Sequence, residues 1–161
     1  MATDPLLKKL QENARADIHA LSEETGLSEA EIRSRIEAWE NDGTILGYHT
    51  VVNREKADRD EVTALIEVRL TPERGGGYDR LAGRIARHDQ VRACFLMSGG
   101  YDLAVYVRGH DLREIARFVS EKLSTLEGVL STATHFQLKA YKENGFLSTT
   151  VEEGERLAVS P

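Results

Sequence analysis

The chain is poor in cysteine, in apolar runs and in positive charge, and each shortage excludes something. Cys94 is the one cysteine among 161 residues. A single thiol rules out an internal disulfide framework and a zinc site built on cysteine pairs. No apolar run approaches the roughly 20 residues needed to span a bilayer. The first ten residues include Asp4, Pro5, Lys8 and Lys9 and hold no apolar signal core. The expectation is a soluble cytoplasmic protein with no membrane partner. Basic residues are outnumbered, 21 Lys and Arg against 27 Asp and Glu, for a formal net charge of −6. That total argues against nucleic acid, whose binders ordinarily show a basic footprint. What is present is a globular balance, 40% hydrophobic and 30% charged. Such a chain is not wholly disordered, and its length allows one ordinary domain or two small ones.

The charge is unevenly spread. Residues 1–60 hold eight Lys and Arg against 13 Asp and Glu, net −5. Residues 61–141 are net +1 and residues 142–161 net −2. Hydrophobic periodicity changes at the same place, from helical spacing to alternating strands and helices. The expected organisation is therefore a first domain over residues 1–60, a second over 61–141 and a tail over 142–161. Lys56-Ala57-Asp58-Arg59-Asp60 is the charged linker between the domains.

The first part reads as three helices. Asp4 is placed to cap the first, with Pro5 at its first helical position. Leu6, Leu7 and Leu10 form its apolar stripe. The second begins at Asp17, presents Ile18 and Leu21, and stops at Gly26. The third opens on Ser28-Glu29-Ala30-Glu31, a capping box in which the Ser28 hydroxyl and Glu31 carboxylate satisfy reciprocal backbone N–H groups. Ile32, Ile36 and Trp39 share one face of it. Gly43 ends it, and residues 45–52 read as a strand. A helix, a short glycine turn and a capped second helix match a helix-turn-helix, which docks its second helix in the major groove. The outward residues of that helix include Glu29, Arg33, Ser34, Glu37 and Glu40, with Arg35 near the edge. Residues 27–42 are nonetheless net −3, and phosphate neutralisation supplies most non-specific affinity. A head used only for assembly is the alternative.

The second part reads β-α-β-β-α-β, the order of a ferredoxin-like split βαβ unit. Val62, Ala64, Ile66, Val68 and Leu70 share one face of the first strand. A loop, Thr71-Pro72-Glu73-Arg74-Gly75-Gly76-Gly77, leads to a helix with Tyr78, Leu81, Ala82 and Ile85 inward. In the second strand Val91, Ala93, Phe95 and Met97 are expected inward. Gly99-Gly100 turns into the third strand. The second helix, from Asp111, carries Leu112, Ile115, Ala116, Val119 and Leu123. The last strand is expected from Val129 to Tyr141. Period-2 counting puts Leu65, Cys94, Leu96, Ala104 and Tyr106 on the sheet face away from the helices. An apolar second face is most simply covered by a second copy of the chain.

The Ser98-Gly99-Gly100-Tyr101-Asp102 turn is the candidate small-molecule site. Consecutive backbone N–H groups form anion-binding nests, and Asp102 can pair with an ammonium group. The combination suits an α-amino acid zwitterion, although a tight hairpin with Asp102 capping its own turn is the commoner reading of these residues alone. Gly75-Gly76-Gly77 lacks the phosphate-loop ending. No two of the five histidines lie three or four residues apart, so no helical metal site is expected. Cys94, among apolar neighbours, is expected to be inert. No catalytic arrangement, metal or cofactor emerges.

Taken together, the chain resembles the Lrp/AsnC (feast/famine) family of prokaryotic transcriptional regulators over about residues 4–142. The matching residues are Leu6-Leu7-Lys8-Lys9-Leu10-Gln11-Glu12-Asn13-Ala14-Arg15, Gly26-Leu27-Ser28, Arg35-Ile36 and Gly43-Thr44-Ile45-Leu46-Gly47-Tyr48. They continue in Met97-Ser98-Gly99-Gly100-Tyr101-Asp102 and Leu126-Glu127-Gly128-Val129-Leu130-Ser131-Thr132-Ala133-Thr134. The resemblance implies a winged-type helix-turn-helix followed by a ferredoxin-like RAM domain, an α+β chain that is not an enzyme. It implies double-stranded operator DNA as a partner, contacted through Ser28, Glu29, Arg33, Ser34 and Arg35. It also implies a small effector, often an amino acid, at Gly99, Gly100, Tyr101 and Asp102, with Thr132 and Thr134 near the cleft. Members form homodimers that assemble further into tetramers or octamers. Family members usually carry Arg or Lys where this chain has Glu37 and Ala38. Sirohaem decarboxylases share the two-domain architecture and are the enzymatic alternative.

Overall fold

A computed structural model describes residues 4–57, 61–71 and 78–148. Most of the 71–77 loop, the last three linker residues and the tail beyond Ser148 lie outside the described residues. The chain divides into two compact units, one up to Thr50 and one from Val51 onward. Among the described residues no helix is long and apolar enough to cross a membrane.

The first unit is built by local signals. α1 (Pro5–Glu12) starts where the Asp4 carboxylate accepts from the Leu6 N–H, with proline following at N1. α2 (Ile18–Thr25) is capped by Asp17, which accepts from the His19 and Ala20 N–H groups. It ends at Gly26, whose φ of 72° is the left-handed conformation that favours glycine. α3 (Glu29–Asn41) is capped by Ser28, whose hydroxyl accepts from the Glu31 N–H at 3.2 Å. The capping box is half formed, because the Glu31 carboxylate turns to Arg35 instead. Leu6, Leu10, Leu21 and Ile32 make the buried core, with Ile36, Trp39 and Ile45 packed against it. The expected strand over residues 45–52 is absent, and Leu46 lies 95% exposed. A strand needs a ladder partner, and no described segment supplies one.

The second unit begins with a short helix, α4 (Arg54–Ala57), that the charged linker concealed. Its sheet has the order β2-β3-β1-β4, with β1 Val62–Leu70, β2 Val91–Leu96, β3 Leu103–Gly109 and β4 Val129–Phe136. Every pair is antiparallel, which is the ferredoxin-like arrangement. α5 (Asp79–Ala86) and α6 (Leu112–Arg117) bury Leu81, Ile85 and Ile115 against Ala64, Ile66, Val68, Leu103, Val105 and Val107.

Three expectations fail here, each for a physical reason. First, the β2–β3 register shifts between Val91 and Ala93. The slip reverses the rest of β2, since a one-residue shift exchanges the faces. Cys94 and Leu96 therefore pair with the core-facing Val105 and Leu103, while Ala93 and Phe95 pair with Tyr106 and Ala104 on the outer face. Second, α6 passes into a π-helical stretch, Phe118–Leu123, with a Ser124 N–H to Val119 C=O bond of 2.8 Å. The wider turn buries Phe118 and Leu123, and Leu112 and Ala116 are exposed. Third, β4 stops at Phe136. The described part of the tail instead folds into a hairpin of β5 (Lys142–Glu143) and β6 (Phe146–Leu147). Asn144 and Gly145 have φ values of 47° and 90°, the requirement of a two-residue hairpin turn.

The corrected outer face remains apolar. Leu65, Ala104, Tyr106, Ala93, Phe95 and Ala133 occupy it by register. The Phe95 and Tyr106 rings meet edge to face at 6.2 Å.

Candidate nucleic-acid interface and effector turn

The turn between α2 and α3 is locked by hydroxyls. Thr25 Oγ1 donates to the Leu21 carbonyl and Ser22 Oγ to the Leu27 carbonyl, both at 2.6 Å. These bonds fix how α3 leaves α2, and α3 presents Glu29, Arg33 and Ser34 to solvent. Arg33 is 64% exposed, with Glu29 Oε2 a distant 3.9 Å away. Glu29 Oε1 lies 3.4 Å from His19 Nδ1. Ser28 is used as a cap. Arg35 differs from the other predicted residues, for its guanidinium is divided between Asp4 Oδ2 at 3.0 Å and Glu31 Oε1 at 2.8 Å.

The acidic charge of this helix is largely engaged. Glu31 holds Arg35, and Glu40 accepts from the Tyr48 hydroxyl at 2.8 Å. That bond, with partial desolvation, pushes the Tyr48 phenol above its ordinary pKa. The Asp42 carboxylate accepts from the Thr44 N–H at 2.8 Å, and hydrogen bonding to Thr44 lowers its pKa. Among the described residues Glu37 has no ion pair or hydrogen bond.

The Gly99–Asp102 turn is braced from β1. Asp102 Oδ2 accepts from the Leu70 N–H at 2.7 Å, and its own N–H donates to the Val68 carbonyl at 3.0 Å. Arg69 Nε donates to the Gly100 carbonyl at 2.9 Å. Burial raises the Tyr78 phenol pKa, and the neighbouring Asp102 charge adds to the shift. Gly99 has φ 143°, and a Cβ at Gly99 or Gly100 would meet nothing within 4 Å. Both glycines therefore face open space.

Thr132 and Thr134 stand apart from this turn. They pair with Val68 and Ile66, so β1 lies between them and β3. Two interstrand spacings, about 10 Å, separate Thr132 from the level of Asp102. Thr132 Oγ1 instead lies 3.4 Å from Ser124 Oγ, just beyond the π-helical stretch. Sequence reasoning missed Arg69, Tyr78 and Ser124. Only Tyr78, a polar aromatic at a helix start, offered any signal. A separate cleft of about 420 Å³ lies between α4, the start of β1 and residues 137–140, lined by Arg54, Glu61 and Lys139 among others. None of the predicted site residues lines it.

A helix-turn-helix head and a ferredoxin-like domain with a glycine turn define a class, transcriptional regulators with a ligand-binding module. Residues 6–40 match the family model of the AsnC-type helix-turn-helix domain. Residues 63–147 match that of the Lrp/AsnC ligand binding domain. The chain belongs to the Lrp/AsnC family of transcriptional regulators. It is 43% identical to the HTH-type transcriptional regulator YugG of Bacillus subtilis, over 97% of this chain and 95% of that one. It is 32% identical to the proline dehydrogenase transcriptional activator of Rhodobacter capsulatus, over 88% and 92% of the two chains. A solved transcriptional regulator of Neisseria meningitidis, in complex with L-methionine, superposes with a TM-score of 0.67 at 25% identity, covering 88% of this chain and 94% of that one.

Proposed function

We propose that the chain binds operator DNA through α3 and changes its affinity for that DNA when an amino acid occupies the Gly99–Asp102 turn. The observation that carries the DNA half is the locked α2–α3 turn with Arg33 and Ser34 exposed beyond it. Arg33 neutralises phosphate or reads a base edge, Ser34 hydrogen-bonds beside it, and Glu29 accepts from a cytosine amino group. Ser28 keeps the positive end of α3 ordered, where backbone N–H groups favour phosphate.

The effector half is supported by the open backbone at Gly99 and Gly100 beside the Asp102 carboxylate. The Asp102 carboxylate accepts from the Leu70 N–H and also from the Tyr78 hydroxyl, and an ammonium group would share it with them. Thr132 and Thr134 lie across β1 on the helix-packed side of the sheet, so they do not join the turn within one copy. A relative of known structure holds L-methionine, and other relatives are named for proline dehydrogenase and leucine response. The apolar outer face of the sheet, with Phe95 54% exposed, is covered by a second copy in a homodimer, from which tetramers or octamers are built.

The test is selection from a random-sequence DNA pool by the purified chain, with and without a mixture of the common amino acids. The expected result is one enriched motif whose recovery changes with the mixture. No enriched motif in either condition would favour a head retained for assembly.

A further inference from the structure

We infer that Asp4 and Arg35 form a clamp that sets the pose of the DNA-facing helix, so that an acidic residue on α1 supports DNA binding. This rests on the reading of α3 as the recognition helix. Arg35 Nη1 donates to Asp4 Oδ2 at 3.0 Å and Nη2 to Glu31 Oε1 at 2.8 Å. Its side chain is 38% exposed, against 64% for Arg33. To reach phosphate it must leave two carboxylates, and within the trio its charge is already more than balanced. Asp4 is committed on both oxygens, since Oδ1 accepts from the Leu6 N–H at 2.9 Å and caps α1. One carboxylate thus ties the first turn of α1 to a residue 31 positions later.

The tie has a geometric consequence. Leu6 and Ile32 belong to the same buried cluster, and Arg35 sits one turn beyond Ile32. An apolar contact alone resists rotation of a helix about its axis weakly, whereas charge-assisted hydrogen bonds are directional. Arg33, two residues before Arg35, lies about 200° around the helix from it. Holding Arg35 against α1 therefore holds Arg33 and Ser34 outward. Arg35 is a positioning residue, and Asp4 is its anchor.

The experiment titrates full-length variants against the DNA that the wild-type chain selects from a random-sequence pool, over a series of salt concentrations. Asp4→Asn is the decisive variant, because asparagine caps a helix about as well as aspartate and removes the charge. On field strength alone, losing a negative charge from an acidic head would tighten DNA binding. The clamp predicts the reverse, a loss of about three- to tenfold, the scale on which contacting residues couple. Arg35→Met should fall by a similar factor, and Arg35→Lys should recover part of it. The double variant should bind no more weakly than Arg35→Met alone. Neither single variant should change the salt slope, because no phosphate contact is lost, whereas Arg33→Gln should flatten it by about one. The clamp is overturned if Asp4→Asn binds as tightly as the wild type or tighter, or if Arg35→Met flattens the slope as Arg33→Gln does. A wild-type chain that selects no DNA brings down the DNA-binding reading and the clamp with it. Selection by the wild type with an indifferent Asp4→Asn brings down the clamp alone.

Discussion

His135 and Glu67 meet on the outer face of the sheet, His135 Nε2 lying 3.4 Å from Glu67 Oε1. The pair sits in an apolar setting. Glu67 lies between Ala104 and Ala133 in register, and His135 is opposite Leu65. Arg69 shares the strand face but turns its Nε onto the Gly100 carbonyl, and Tyr106 and Arg108 face the same way, Arg108 lying 3.5 Å from Glu61 Oε2. Covering this face with a second copy removes the Glu67 carboxylate from water. An unpaired charge is costly there, and the imidazole nitrogen beside it offsets part of the cost.

Removing the imidazole should accordingly weaken self-association. His135→Ala leaves the Glu67 carboxylate without this neighbour once the face is covered, and stranding a buried charge should raise the dimer dissociation constant about tenfold or more. Sedimentation equilibrium of the wild type and the variant reads that constant. Equal constants for the two proteins would contradict the prediction.

Phe95→Glu should abolish the dimer without unfolding the chain. Phe95 is 54% exposed in the single chain, so its removal opens no cavity. Sedimentation velocity should show a monomer, with a far-UV circular dichroism spectrum like that of the wild type. A variant that sediments as a dimer would place the interface elsewhere.

The two glycines of the effector turn should respond differently to alanine. Gly99 has φ 143°, a conformation that strains any L side chain by about 1–3 kcal/mol. Gly99→Ala should lower the urea midpoint accordingly. Gly100 is under no such constraint and has open space around it, so Gly100→Ala should keep the wild-type midpoint. It should still lose the thermal shift produced by amino acids, because its methyl group blocks approach to the backbone.

Ile66→Ala should cost about 2–5 kcal/mol, the range for deleting a buried aliphatic side chain. Ile66 is fully buried on a strand flanked on both sides by others. Urea unfolding followed by circular dichroism checks the figure.

The parts of this fold legible from sequence are those fixed by neighbours along the chain. Asp4, Pro5, Asp17, Gly26 and Ser28 act within a turn, and their caps form as their chemistry dictates. The βαββαβ order follows from alternation with period 2 and helical spacing. The phase of β2 was illegible because the slip between Val91 and Ala93 depends on how β3 pairs, not on β2 itself. The π-helical turn at Phe118–Leu123 likewise answers to packing, which buries Phe118 in place of Leu112. At the candidate site, the turn glycines and Asp102 could be picked out. What Asp102 does with Leu70, and Arg35 with Asp4, could not, since these partners lie 32 and 31 residues apart. The net charge of α3 is unchanged by its internal contacts, for Glu31 pairs with the basic Arg35 and Glu40 keeps its charge beside the neutral Tyr48 hydroxyl.

Occupancy of the Gly99–Asp102 turn should alter DNA binding by α3. The most direct measurement is the affinity of the full chain for its selected DNA, by fluorescence anisotropy, with and without the amino-acid mixture, for the wild type and Asp102→Ala. The wild type should show a change of about five-fold or more, the lower end of typical allosteric coupling, and Asp102→Ala should show none. An equal change in both proteins, or no change in the wild type, would contradict this.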